Sequence, residues 1–212
     1  MNKKYIGTEF VAATNNEHKL SELCEILKTV HCGCISLCTA GVTVDPEETG
    51  STFSKNAYIK AKAAFDVTGR AVIADDSGLC VDALHGAPGV HTARYAGGDC
   101  DSEKNINKLL ANLDGLPIEK RGARFVSCVC AIFPDGTVLR AVGFVEGYIG
   151  FERCGEGGFG YDPIFRLPNH ESLAEMSAAR KNAVSHRGRA VRKLAFKLRG
   201  ITKTRGEFDA YR

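Results

Sequence analysis

The chain has 212 residues, 28 Lys and Arg against 25 Asp and Glu, and a formal net charge of +3. That length suits one domain of roughly 150–250 residues or two small lobes sharing a cleft, and 44% hydrophobic with 25% charged residues is the composition of a globular protein, not a disordered tail. No apolar run approaches the ~20 residues that span a bilayer, and polar residues follow Met1-Asn2-Lys3-Lys4 too closely for a signal-peptide core, so a cytoplasmic protein without a membrane partner is expected.

Phe10-Val11-Ala12-Ala13 reads as a short buried strand that breaks at Thr14-Asn15-Asn16. Leu20, Leu23, Ile26 and Leu27 then recur at helical spacing, with Asn15 or Asn16 as N-cap. The spacing predicts a second helix from about Ser54 to Val67, with Ala57, Ala61, Ala64 and Phe65 inward and Gly69 ending it. A buried strand Ala71–Ala74 leads into Asp75-Asp76-Ser77-Gly78, and Ser102 could cap a helix with Ile106, Leu109, Leu110 and Leu113 inward. Arg124–Phe133, the turn Pro134-Asp135-Gly136-Thr137 and Val138–Val145 read as a β-hairpin, and a last helix is expected from about Ser185 to Leu198. Neither linker composition nor internal repeats mark a boundary, so residues 1–212 are expected to form a single α/β domain, with a bilobal form open.

Five segments carry candidate chemistry. In Thr14-Asn15-Asn16-Glu17-His18-Lys19, a strand-to-helix loop offers outward N–H groups and a lysine to an anion, although GxxxxGK[ST] is absent. Asp75 and Asp76 emerge at a strand end, the edge at which open α/β sheets bind ligands, and point to opposite sides. With Asp45, Glu47 and Glu48 upstream they supply hard oxygen ligands of the kind that suit Mg²⁺; a solvated turn is the plainer reading. Asn56 and Lys60 share a helix face directed toward Asp76. Gly155-Glu156-Gly157-Gly158-Phe159-Gly160 matches GxGxxG, but Tyr161-Asp162-Pro163 disfavours the helix that a dinucleotide site needs. Instead the loop presents Phe159, Tyr161 and Asp162, an aromatic to stack on a base and a carboxylate to accept from a ring N–H. Lys181 and Ser185-His186-Arg187-Gly188 place cations at a helix start, where the dipole prefers acids.

Residues 176–212 hold 11 Lys and Arg against 2 Asp and Glu, so this segment carries +9 and the rest of the chain −6. Anion binding and a solvated helix face both fit the segment. A non-catalytic nucleic-acid-binding module built on it is the alternative from another class, with Phe196, Phe208 and Tyr211 as its aromatics. The nine cysteines are odd in number and irregularly spaced, which reads as reduced thiols. His31, Cys32, Cys34 and Cys38 raise a zinc site, but no CxxC pair occurs among them.

Taken together, these segments resemble the Ham1/inosine triphosphatase family, the XTP/dITP diphosphatases. The resemblance runs from about Phe10 to Leu198 through Thr14-x-Asn16-x-x-Lys19, Glu47-Glu48-Thr49-Gly50-x-Thr52-Phe53-x-x-Asn56-Ala57 and Ala74-Asp75-Asp76-Ser77-Gly78-Leu79. It continues through Gly86-Ala87-Pro88-Gly89-Val90-x-x-Ala93-Arg94-Tyr95-Ala96-Gly97, Gly157-Gly158-Phe159-Gly160-Tyr161-Asp162-Pro163-Ile164-Phe165 and Ser185-His186-Arg187-Gly188. It implies an elongated two-lobed α/β fold, a mixed sheet flanked by helices with a cleft between lobes, commonly a homodimer. The implied activity is Mg²⁺-dependent hydrolysis of non-standard purine nucleotides (dITP, ITP, XTP) to the monophosphate and pyrophosphate, with a related pyrophosphatase for another modified nucleotide as alternative. No nucleic-acid partner is implied. By position, the resemblance makes Asp76 the proton acceptor and a metal contact, with Glu47 the other metal contact. Thr14, Asn15, Asn16, Glu17, His18 and Lys19 would hold the triphosphate, with Asn56 and Lys60 near it. Ser77, Phe159, Gly160, Tyr161, Asp162, Lys181, His186 and Arg187 would line the nucleotide pocket, the last two at the base. Ala178-Ala179-Arg180 stand where family members often carry acids.

Overall fold

In the computed structural model, which describes Tyr5 and residues 7–198, a six-stranded sheet is flanked by helices. The strands are β1 (Glu9–Ala12), β2 (Gly33–Ser36), β3 (Val72–Val81), β4 (Gly122–Ile132), β5 (Val138–Ile149) and β6 (Phe165–Arg166), and they lie in the order β2-β1-β3-β4-β5-β6. β1 runs parallel to both β2 and β3, and β6 closes the other edge antiparallel to β5. The helices are α1 (Glu17–Thr29), α2 (Phe53–Thr68), α3 (Ser102–Asn112), α4 (Ala178–Val184) and α5 (His186–Leu198).

Local rules account for most of these boundaries. Asn16 caps α1 by accepting from the Lys19 N–H, and Thr52 caps α2 by accepting from Lys55. Gly69 ends α2 in the left-handed region at φ 60°, where a Cβ would be strained. Asp101, not Ser102, is the N-cap of α3, since its carboxylate accepts from both the Glu103 and Lys104 N–H groups. The short β1 is buried on both sides and reads as a continuous apolar run, as parallel strands do. β3 differs from expectation: it does not stop at Ala74 but continues through Asp75-Asp76-Ser77-Gly78 to Val81.

The chain divides into two compact units, each assembled from separate segments. The first comprises the segment ending at Asp76, Ser127–Gly143 and the segment beginning at His186. Its core brings together Phe10, Leu23, Ile26 and Leu27 with Ile73, Val129, Phe133, Val191 and Leu194. The second comprises Ser77–Val126 and Phe144–Ser185 and closes around Leu79, Ile106, Leu109, Phe125, Ile164 and Phe165. In this unit Arg121 is buried, and its guanidinium donates to the carbonyls of Leu113, Ile149 and Gly150 at 2.8–2.9 Å. Both cores use the helix faces expected from the leucine spacing.

Within the first unit, α5 approaches β5 backbone to backbone at Gly143. A Cβ there would overlap the His186 carbonyl and the Ala190 amide and lie 3.0 Å from the Ala190 Cα. No flexible side chain is available to yield. Gly143→Ala is therefore expected to destabilise the protein by about 1–3 kcal/mol, the usual cost of overpacking, measured by urea unfolding; an unchanged midpoint would contradict this close approach.

Candidate active site

β3 gives the first unit two consecutive carboxylates, and successive side chains of a strand leave on opposite faces. Asp75 has no exposed surface. Its Oδ1 accepts from the Ser127 hydroxyl at 2.5 Å, and its Oδ2 accepts from Arg187 Nε and Nη2 at 3.1 and 3.0 Å, with Lys19 Nζ 3.8 Å away. The guanidinium is also buried and donates through Nη1 to Glu22. Burial works against the Asp75 charge, but Arg187, Lys19 and the Ser127 hydroxyl outweigh it and hold the carboxyl well below the usual range. The same balance raises Arg187: burial opposes its charge, while Asp75 and Glu22 prevail. For Lys19 burial wins and lowers the pKa despite Asp75.

Asp76 faces different partners. Its Oδ1 accepts from Lys60 Nζ at 2.7 Å, and the same ammonium lies 2.8 Å from Glu48 Oε1. Asp76 Oδ2 is buried and has no hydrogen-bond partner among the described residues. Burial raises the Asp76 pKa above its ordinary value, an effect that Lys60 and Lys19 do not reverse. Lys60 is itself raised, because Asp76 and Glu48 overcome its burial. Two adjacent carboxylates thus hold protons with opposite tendencies: Asp75 is kept ionised, while Asp76 binds a proton more readily than an exposed aspartate.

The segment before α2 puts a carboxylate beside Lys60. Gly50 donates its N–H to Asn56 Oδ1 at 2.7 Å, and a Cβ on Gly50 would collide with that amide oxygen. Buried Asn56 therefore ties residues 47–50 to the start of α2. Along this stretch Glu47 is exposed and Glu48 half-buried, so the carboxylate brought to Asp76 through Lys60 is Glu48 rather than Glu47. An unpartnered buried Asp76 oxygen with Glu48 nearby fits a hard divalent cation, which often takes one or two protein carboxylates and fills its shell with water and phosphate oxygens. Among the described residues no group of three or more His, Cys, Asp or Glu could hold a metal alone, so a cation here would depend on those other oxygens.

The start of α1 adjoins this cluster through Lys19. Asn16 donates its N–H to Thr14 Oγ1, and Asn15 Nδ2 donates to the Val44 carbonyl and Asp45 Oδ1, both at 3.3 Å. Asn15 thereby fixes the strand-to-helix loop to the acidic segment. Glu17 and His18 are exposed in the first turn of α1.

The second unit carries a separate ion pair. Lys181 Nζ lies 2.6 Å from Asp162 Oδ2, both side chains buried, and 4.5 Å above the Phe159 ring. Asp162 also accepts from the Phe159 N–H at 2.8 Å, and Gly158 at φ 73° has no room for a Cβ beside that carboxylate. Tyr161 corrects the sequence reading of a loop that presents its aromatics. Its ring is buried in the core, its hydroxyl donates to the Thr92 carbonyl at 3.1 Å, and burial pushes the phenol up. Asp162 is likewise a buried partner of Lys181, not an exposed acceptor. Gly160 follows in the left-handed region at φ 61°, and Ser77 is half-buried in β3.

His186 and Arg187 begin α5, both buried. Arg187 differs from the role implied by resemblance: its donors meet Asp75 and Glu22, so in this arrangement it holds the carboxylate cluster rather than offering itself to a base. Glu22 and Ser127 are partners that the sequence reading did not name; Glu48 it named among the upstream carboxylates, without its pairing to Lys60. Glu22 stands three residues after Lys19 on the same helical face, a signal that was available; Ser127 is a lone hydroxyl in an apolar strand.

Comparison with known proteins agrees with the fold. The Ham1 family pattern matches residues 10–197. A protein named dITP/XTP pyrophosphatase from Desulforamulus reducens is 48% identical over 187 residues, covering 87% of this chain and 92% of that protein. One of the same name from Bacillus subtilis is 44% identical over 191 residues, covering 90% of this chain and 96% of its own. Among solved structures, a HAM1 protein from Coxiella burnetii superposes with a TM-score of 0.81 at 40% identity, covering 91% of this chain and 99% of that one. The Staphylococcus aureus Ham1 protein gives 0.80 at 40% identity over 92% and 100% of the two chains.

The two aspartates should separate in stability. A group whose folded pKa is depressed stabilises the fold above its unfolded pKa, and that contribution is lost as pH falls through the folded value; a raised group contributes below its unfolded pKa instead. At pH 7, Asp75→Asn leaves Arg187 short of a buried counter-charge and is expected to cost about 3–5 kcal/mol. Asp76→Asn removes a carboxylate that burial disfavours and leaves Lys60 paired with Glu48, so it is expected to cost clearly less. Calorimetry of both variants checks this, and an equal loss in the two would contradict it.

Proposed function

The chain belongs to the Ham1 family, and we propose that it hydrolyses non-standard purine nucleoside triphosphates (dITP, ITP, XTP) to the monophosphate and pyrophosphate with Mg²⁺ as its metal. The single observation that carries the site assignment is the Lys60 bridge between Asp76 and Glu48, with the second Asp76 oxygen buried and unpartnered. The curated relatives with 42–48% identity and the name dITP/XTP pyrophosphatase support the substrate class.

Cleaving the bond between α- and β-phosphates requires charge neutralisation on the triphosphate and a deprotonated water. Asp76 is assigned as the proton acceptor, since burial gives its carboxylate a proton affinity above that of an exposed aspartate. With Glu48 it would hold Mg²⁺, which when bound polarises phosphate oxygens and water. Lys60, Lys19 and the N–H groups opening α1 are assigned to the negative charge that builds on the departing pyrophosphate. Asp75, itself fixed by Arg187, holds Lys19 in the cluster.

At the nucleoside, Phe159 is assigned as a stacking surface and Lys181 and His186 as donors to the purine. Hypoxanthine and xanthine present a carbonyl at C6, which accepts such a hydrogen bond; adenine presents an amine there and would leave the donor unpaired, a discrimination of several kcal/mol. A homodimer within the cytoplasm, implied by the resemblance, completes the reading. No helix among the described residues is long and apolar enough to cross a membrane. Phe208 and Tyr211, two of the three aromatics of the nucleic-acid alternative, lie outside the described residues.

Purified protein with Mg²⁺ is expected to release pyrophosphate from ITP, dITP and XTP far faster than from ATP. No release from any of the three, with good cleavage of another nucleotide, would overturn the substrate assignment. Asp76→Asn should lower kcat by about 10²–10⁴-fold with little change in KM. Because the ionised carboxylate is the active form, kcat/KM should fall as pH drops through the raised Asp76 pKa, an acid limb above the ~3.9 of an ordinary aspartate. An acid limb at or below that value would remove Asp76 from the role.

A further inference from the structure

Two of the nine thiols meet outside the cluster described above. Cys24 lies on α1 and Cys34 on β2, ten residues apart in sequence and within the same unit. The Cys24 Sγ donates to the Cys34 carbonyl at 3.6 Å, which sets the two side chains side by side. Both are half-buried, so a small reagent can reach them, whereas Cys32, Cys128 and Cys130 are buried. We propose that Cys24 and Cys34 form a redox modification site, closing reversibly to a disulfide that ties α1 to β2 when the protein meets a peroxide.

The chemistry balances with hydrogen peroxide as the oxidant. The Cys24 sulfur attacks one peroxide oxygen, the O–O bond breaks, and the thiol becomes a sulfenic acid with release of water. The Cys34 sulfur then attacks Cys24, and the hydroxide displaced takes the Cys34 proton as a second water. Two thiols lose two electrons and two protons, and one peroxide becomes two waters. Burial, with Cys24 and Glu9 nearby, pushes the Cys34 thiol up, which disfavours its own attack on the peroxide and leaves that first step to Cys24.

The position of Cys24 gives the bond a consequence. A disulfide holds its sulfurs at ~2.05 Å, closer than two unbonded sulfurs approach, so α1 or β2 must shift to form it. α1 carries Lys19, 3.8 Å from Asp75, and Glu22, the partner of Arg187, within two turns of Cys24. Movement of α1 therefore acts on the basic residues grouped around Asp75.

The test treats the full reduced, folded chain with hydrogen peroxide, unfolds it in guanidinium chloride, alkylates the remaining thiols with iodoacetamide, and counts adducts by mass. The expected result is seven adducts instead of nine, restored to nine by dithiothreitol, with fragmentation joining Cys24 to Cys34. Cys24→Ser and Cys34→Ser should each abolish the cross-link, and Cys32→Ser should keep it. Nine adducts, a bond mapped to other cysteines, or a cross-link that survives Cys34→Ser would overturn the site. The same samples are assayed for pyrophosphate release from ITP, once the reduced protein has been shown active. A several-fold loss on oxidation, reversed by dithiothreitol and absent in Cys34→Ser, is expected; a mapped disulfide with an unchanged rate would overturn the coupling to α1.

Discussion

A carboxylate with no exposed surface cannot remain ionised inside a protein unless charge and hydrogen bonds replace its lost water. Asp75 meets that condition through Arg187, the Ser127 hydroxyl and Lys19, and the rest of the first unit is arranged around those partners. Ser127 comes from β4, Arg187 from α5, Lys19 and Glu22 from α1, and Asp75 itself from β3. One buried charge thus fixes the relation of four elements that are distant in sequence. The pairing selects this arrangement, because removing any one partner leaves another buried charge exposed to the same desolvation cost.

The neighbouring carboxylate depends on that arrangement. Strand geometry sends Asp76 to the opposite face, away from Arg187, where Lys60 covers one oxygen and burial governs the other. Environments that push two titratable groups apart allow one to serve as fixed charge and the other as a base. Adjacent placement on one strand supports this separation: Lys19 acts on both carboxylates, but Arg187 and Ser127 donate to Asp75 and Lys60 to Asp76.

Much of the fold was legible from residue spacing: α1, α2, α3 and α5 follow their leucine and alanine stripes, and Gly69 and Asn16 stand at the ends where they act. What failed has physical causes. Asp-Asp-Ser-Gly looks like a turn because charged and small residues favour one, and β3 continues only because cations far along the chain neutralise its carboxylates. Tyr161 looked exposed because its glycines imply a loop, yet the ring had a core to enter and a Thr92 carbonyl to meet. Of the candidate site, Asp76, Lys60, Lys19, Asp162 and Lys181 could be named from sequence. Their pairings could not, since Glu48 over Glu47 depends on which way an extended segment alternates, and Glu22 with Arg187 joins residues 165 positions apart.

The claim that binds these parts is the opposed proton affinity of Asp75 and Asp76. Carbon-13 NMR of aspartate carboxyls, assigned with Asp75→Asn and Asp76→Asn, reads both groups in one acid titration. The account predicts that Asp75 stays ionised below the range in which ordinary aspartates protonate, while Asp76 takes its proton at a higher pH than an exposed aspartate. Reversed order, or two carboxyls that titrate together at the ordinary value, would contradict it.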